Sequence, residues 1–123
     1  MNEEIFMLKM NGYCCSQIIM ELGLKKIGKE NPDMVEASAG LCFGAKCGKL
    51  CGAVSAAICL MCLADEQAES KGLIQEYIDW FEEGFEALDC EDLLAGDPMA
   101  KVEKCPMIVE STLTKLEELL EWE

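Results

Sequence analysis

Apolar residues recur along this chain with a helical period. Cys15, Ile18, Ile19 and Leu22 stand at i, i+3, i+4 and i+7, the inward stripe of a helix that starts around Cys14. Leu73, Ile74, Tyr77, Ile78, Phe81, Phe85 and Leu88 repeat the pattern, with Glu76, Asp79, Glu82, Glu83 and Glu86 on the opposite, solvent-facing side. Val109, Leu113, Leu116 and Leu120 share one side of a last helix, predicted to start at Pro106. Residues 50–64 are apolar on every side and predict a central helix with neighbours all round. No alternating strand pattern and no Asn-Gly or Asp-Gly hairpin signal interrupts these segments.

Local signals set the boundaries. Asn2 suits the N-cap of a short first helix that ends near Met10, ahead of Asn11-Gly12. Asn31-Pro32 is an N-cap followed by proline at the first helical position, so a third helix begins there and runs toward Gly40. Gly40, Gly44, Gly48 and Gly52 follow; each glycine costs a helix about 1 kcal/mol relative to alanine, so residues 40–52 predict an irregular loop. Residues 65–71 form a charged link, Asp89 caps a short turn through Leu94, and Asp97-Pro98 makes a further break. The expectation is one all-α domain over residues 1–123. It is a helical bundle of five to six helices, with a glycine- and cysteine-rich loop before the central apolar helix.

Composition narrows the chemistry. The chain has nine cysteines and no histidine. That removes a Cys–His dyad, a Ser–His–Asp triad and a mixed Cys/His zinc finger. What remains is dithiol–disulfide exchange, an all-thiolate metal or iron–sulfur site, or cysteine used as a small core residue. At 123 residues the core needs no disulfide staples. The acidic start lacks the pattern of a secretory signal, so a cytoplasmic, thiol-reducing setting is expected. The apolar run at 50–64 is shorter than the roughly 20 residues that cross a bilayer, so no membrane insertion is expected. A formal charge of −14 argues against nucleic acid and anionic membranes as partners.

Four cysteines, Cys15, Cys51, Cys90 and Cys105, fall at predicted helix N-termini, where unpaired N–H groups and the helix dipole stabilise a thiolate. Cys105 would take the N-cap before Pro106. Lys46 and Lys49 add positive charge near Cys51, which makes it the expected low-pKa, most reactive thiol. Cys42 and Cys47 lie in the glycine-rich loop, whose N–H groups could wrap an anion or cluster. Of the adjacent Cys14 and Cys15, one is expected to face a shared site. Cys59 and Cys62 form a CxxC inside the apolar helix, on a face shared with Cys51 and Ser55; they read as a buried, inert packing stripe.

The same cysteines carry a resemblance. Gly12-Tyr13-Cys14-Cys15-Ser16-Gln17, Phe43-Gly44, Cys51-Gly52-Ala53-Val54-Ser55-Ala56, Cys90-Glu91-Asp92-Leu93-Leu94 and Cys105-Pro106 resemble the proposed redox-active proteins named for a C-GCAxxG-C-C pattern. Ala56 stands where that pattern closes with glycine. The resemblance covers nearly the whole chain and implies redox activity by clustered cysteines.

The readings that follow are a thiol oxidoreductase, an all-cysteine binding module, and a structural or adaptor protein with buried cysteines. In the first, Cys51 attacks and Cys15, Cys90 or Cys105 resolves, with a redox protein or a second copy of the chain as partner. In the second, Cys15, Cys51, Cys90 and Cys105 hold zinc or an iron–sulfur cluster, with Cys42 and Cys47 replacing or supplementing them.

Overall fold

The computed structural model describes residues 3–94 and 100–120. Within them the chain is all-α: α1 (Glu3–Met10), α2 (Cys15–Lys26), α3 (Pro32–Ala37), α4 (Gly52–Ala64), α5 (Leu73–Phe85), α6 (Cys90–Leu94) and α7 (Ala100–Leu119). The count among the described residues exceeds the expected five to six by one, because the segment expected as a short turn through Leu94 forms the five-residue α6. Such short helices persist through their context rather than their propensity. Asn31 caps α3 as expected, its side chain accepting the Met34 N–H at 3.1 Å. The Asn2 cap and the Asp97-Pro98 break lie outside the described residues.

The principal helix pair is α2 with α4; α7 packs on both, and α5 packs on α4 and α7. Gly23 makes the first contact close: a Cβ there would stand 2.2 Å from Leu60 Cδ1. Ile19, Met20, Leu60, Met61, Phe81 and Leu116 fill the core between the helices. Tyr77 and Thr112, both buried, join α5 to α7 through a 3.1 Å hydroxyl pair. The inward stripe read for residues 73–88 is confirmed, with Tyr77 and Phe81 fully buried and the five acidic residues exposed.

Two expectations are corrected. The central helix is not enclosed on all sides. Ala53, Val54, Ala56, Ala57, Leu60 and Met61 are buried, whereas Cys59 and Cys62 are exposed. Ser55 is the one polar residue of this helix and is itself half-buried, so little in the sequence marks the open face. The last helix starts at Ala100 and passes through Pro106, so Cys105 lies inside α7 and not at its N-cap. Proline forfeits one helical hydrogen bond there.

Between α3 and α4 the chain makes one 3-10 turn, Ser38–Leu41. Phe43, Gly44, Ala45 and Lys46 then take φ values of 51°, 54°, 60° and 65° in succession. This left-handed turn, three of whose residues carry a Cβ, costs on the order of 1–2 kcal/mol per such residue. It reverses the chain so tightly that a Cβ on Gly44 would lie 2.1 Å from the Lys49 carbonyl oxygen. The returning strand of backbone is tied to the segment before α6. The Cys51 N–H donates to the Leu88 carbonyl, and the Cys90 N–H donates to the Lys49 carbonyl, each at 2.8 Å.

Candidate functional site: a cysteine-lined cavity

Those paired backbone bonds set the start of α4 beside the start of α6, which places Cys51 next to Cys90. Cys51 is the N-cap residue of α4, Cys90 the first residue of α6, and Cys15 the first residue of α2. Three of the four predicted N-terminal placements are therefore observed. The thiol of Cys51 hydrogen-bonds with Cys15 and with Cys90.

Six cysteines line one small cavity: Cys14, Cys15, Cys42, Cys51, Cys90 and Cys105. Its remaining walls are apolar, from Phe43, Leu93, Leu94 and Ile108. The cavity measures about 20 Å³, room for about one water. The adjacent Cys14 and Cys15 both line it, where one was expected. Cys14 and Cys42 are disulfide-bonded, with Cα atoms 6.1 Å apart. The sequence had suggested reduced thiols throughout. Of the two loop cysteines only Cys42 reaches the cavity. Cys47 is exposed, and its thiol donates to the Gly44 carbonyl at 3.4 Å.

The electrostatics reverse one expectation. Cys51 is 4% exposed, and its thiol is pushed far above its ordinary value. Hydrogen bonding to Cys15 is the largest cause, followed by hydrogen bonding to Cys90 and then burial. Lys46 and Lys49 are exposed and bring no lowering. Mutual hydrogen bonding among protonated thiols and desolvation outweigh the helix N-terminus. Cys51 is held neutral.

Ser16, which follows Cys15 in the motif, stands beside both sulfurs of the disulfide. Its hydroxyl is fully buried and donates to the Ser38 carbonyl at 2.7 Å. The same oxygen lies 3.3 Å from Cys14 Sγ and 3.2 Å from Cys42 Sγ. Since its proton is used on Ser38, its lone pairs can accept from either sulfur when that sulfur carries hydrogen. Gln17 accepts the Cys14 N–H at 3.2 Å, which fixes the entry to α2. Neither Ser16 nor Tyr77 is among the residues expected at the site. The Tyr77 phenol is raised by burial and, to a lesser extent, by Cys51 and Cys15 nearby.

A solvent-facing groove adjoins the cysteines. A groove of about 260 Å³, lined by Lys9, Tyr13 and Pro106 among others, shares Cys14, Cys15 and Cys105 with the cavity.

The donor set is right in kind for an all-thiolate zinc or iron–sulfur centre, but its arrangement does not fit one. The sulfur of Cys51 contacts those of Cys15 and Cys90, and the space between the walls is about one water in size. Among the described residues, no group of three or more cysteine, aspartate or glutamate side chains is disposed to hold a metal ion.

Residues 13–119 match the sequence profile of a family described as "Putative redox-active protein (C_GCAxxG_C_C)". No curated protein and no solved structure matches the chain. Among the described residues, no helix is long and apolar enough to cross a membrane.

Proposed function

The chain belongs to the C-GCAxxG-C-C family, and on that premise we propose that it is a thiol redox protein working by dithiol–disulfide exchange. One observation carries the reading: an oxidised pair, Cys14–Cys42, and the thiols of Cys15, Cys51, Cys90 and Cys105 line the same cavity.

In the step proposed, a thiolate of a partner dithiol protein enters the groove and attacks Cys14 Sγ, the disulfide sulfur that borders it. A bond forms between the partner sulfur and Cys14, the Cys14–Cys42 bond breaks, and Cys42 leaves as a thiolate that takes up a proton. Ser16 Oγ is placed to accept the new S–H. The partner's second thiol then attacks its own sulfur in the mixed disulfide and releases Cys14. Two electrons and two protons have entered the chain, and the partner leaves as a disulfide. Cys15, Cys51 and Cys90 are a second, interior set of thiols beside the first. Cys51, held neutral, takes no part in this step, which reverses its expected role as the attacking thiolate.

A Cys42→Ser variant tests this. With the resolving sulfur absent, reaction with glutathione disulfide should leave glutathione on Cys14 as a stable mixed disulfide, detected by peptide mass mapping. Glutathione accumulating on exposed Cys47 while Cys14 stays unmodified would contradict the assignment.

A further inference from the structure

We propose that Cys59 and Cys62, on the solvent face of α4, form a separate two-thiolate site for one soft, two-coordinate cation of the Cu(I) class. The pair takes no part in the cavity described above, and neither residue lines it.

Both thiols are exposed on a helix whose other faces are buried. At i and i+3 they are neighbours on one surface. The side chain between them that could have competed, Met61, is fully buried.

Spacing selects the chemistry. Cβ atoms at i and i+3 of a regular helix stand about 5–6 Å apart. A disulfide needs Cβ atoms about 3.5–4.5 Å apart, so closing one would bend the helix. Two thiolate–metal bonds of about 2.3 Å each span up to about 4.6 Å between sulfurs, which the unbent helix can present. Ligand number selects the ion. Among the described residues no third cysteine or carboxylate completes a metal-binding group, so zinc and iron, which need four ligands, are not served. Thiolate softness favours Cu(I), which is content with two. The net charge of −14 attracts the cation, and binding it displaces the two thiol protons.

The test uses reduced full-length protein under nitrogen, titrated with Cu(I) as its acetonitrile complex and then alkylated and mass mapped. Cys59 and Cys62 should lose alkylation together, while exposed Cys47 keeps its rate. Cys59→Ser should weaken the Cu(I) protection of Cys62 by about 100-fold or more, because the chelate is lost. Both positions are exposed, so the serine variants retain the fold. Cys59 and Cys62 alkylating as fast as Cys47 when Cu(I) is bound elsewhere would overturn the proposal. So would unchanged protection of Cys62 in the Cys59→Ser protein, or a Cys59–Cys62 disulfide forming readily in glutathione buffer. None of these outcomes bears on the state of Cys14 and Cys42, which the same maps report separately.

Discussion

Gly52 sits directly beneath the carbonyl of Leu41, so close that a Cβ added to it would stand 2.6 Å from the oxygen. The contact fixes the first turn of α4, and hence Cys51, against the turn that leads to Cys42. Gly52→Ala should therefore lower stability by about 2 kcal/mol, an overpacking cost. Gly84, within α5, has nothing within 4 Å of its added Cβ. Gly84→Ala should stabilise by about 0.5 kcal/mol through helix propensity alone. Urea midpoints of the two variants, moving in opposite directions from the parent, check the contrast.

Tyr77→Phe should cost about 1–2 kcal/mol in the same assay, because it strands the buried Thr112 hydroxyl. Tyr77→Phe combined with Thr112→Val should recover part of that loss, since both partners are then apolar.

Stability should fall on the alkaline side. Cys51 is raised from an ordinary 9.0, so the folded chain keeps a proton that the unfolded chain releases as pH rises through that value. The stabilising contribution is full below pH 9.0 and is lost progressively above it, at up to about 1.4 kcal/mol per pH unit for one thiol. Tyr77, raised from 10.0, adds to the slope above that pH. Urea midpoints of reduced protein at pH 7, 8, 9 and 10 should be flat at first and then decline. Cys51→Ala should have a shallower decline.

Reactivity should follow exposure. Cys47, exposed on the left-handed turn, should alkylate fastest, and Cys51 more than about 100-fold slower at pH 7 in reduced, folded protein. Rates from peptide mass mapping decide this. Equal rates at the two positions would show that Cys51 is neither buried nor held neutral.

Helix periodicity made most of the fold legible in the sequence. The stripes ending in Leu22, Leu88 and Leu120 are amphipathic, so their buried sides could be read from spacing, and Asn31-Pro32 marked a helix start correctly. Where periodicity is silent, the reading failed. Residues 52–64 are apolar on all sides, so nothing distinguished the buried Leu60 from the exposed Cys59 and Cys62. Pro106 carries the signal of a helix start, yet α7 holds it internally. At the candidate site, cysteine placement pointed to Cys15, Cys51, Cys90 and Cys105, all of which line the cavity, although Cys105 lies inside α7 rather than at its start. The Cys14–Cys42 pair joins residues 28 apart that only the folded chain brings together, so no local propensity announces it. The rise in the Cys51 thiol is likewise a product of tertiary packing, since Cys15 and Cys90 meet it only in the folded chain.

The central claim is that the cavity cysteines exchange electrons as thiols and disulfides. Its most direct measurement is a redox titration in mixtures of reduced and oxidised glutathione, with sequential alkylation by two reagents to read each cysteine. The account predicts that Cys14 and Cys42 change state together and reversibly, in one two-electron transition of about 30 mV per tenfold change in ratio. Cys14 and Cys42 remaining independent thiols across the whole range would contradict it.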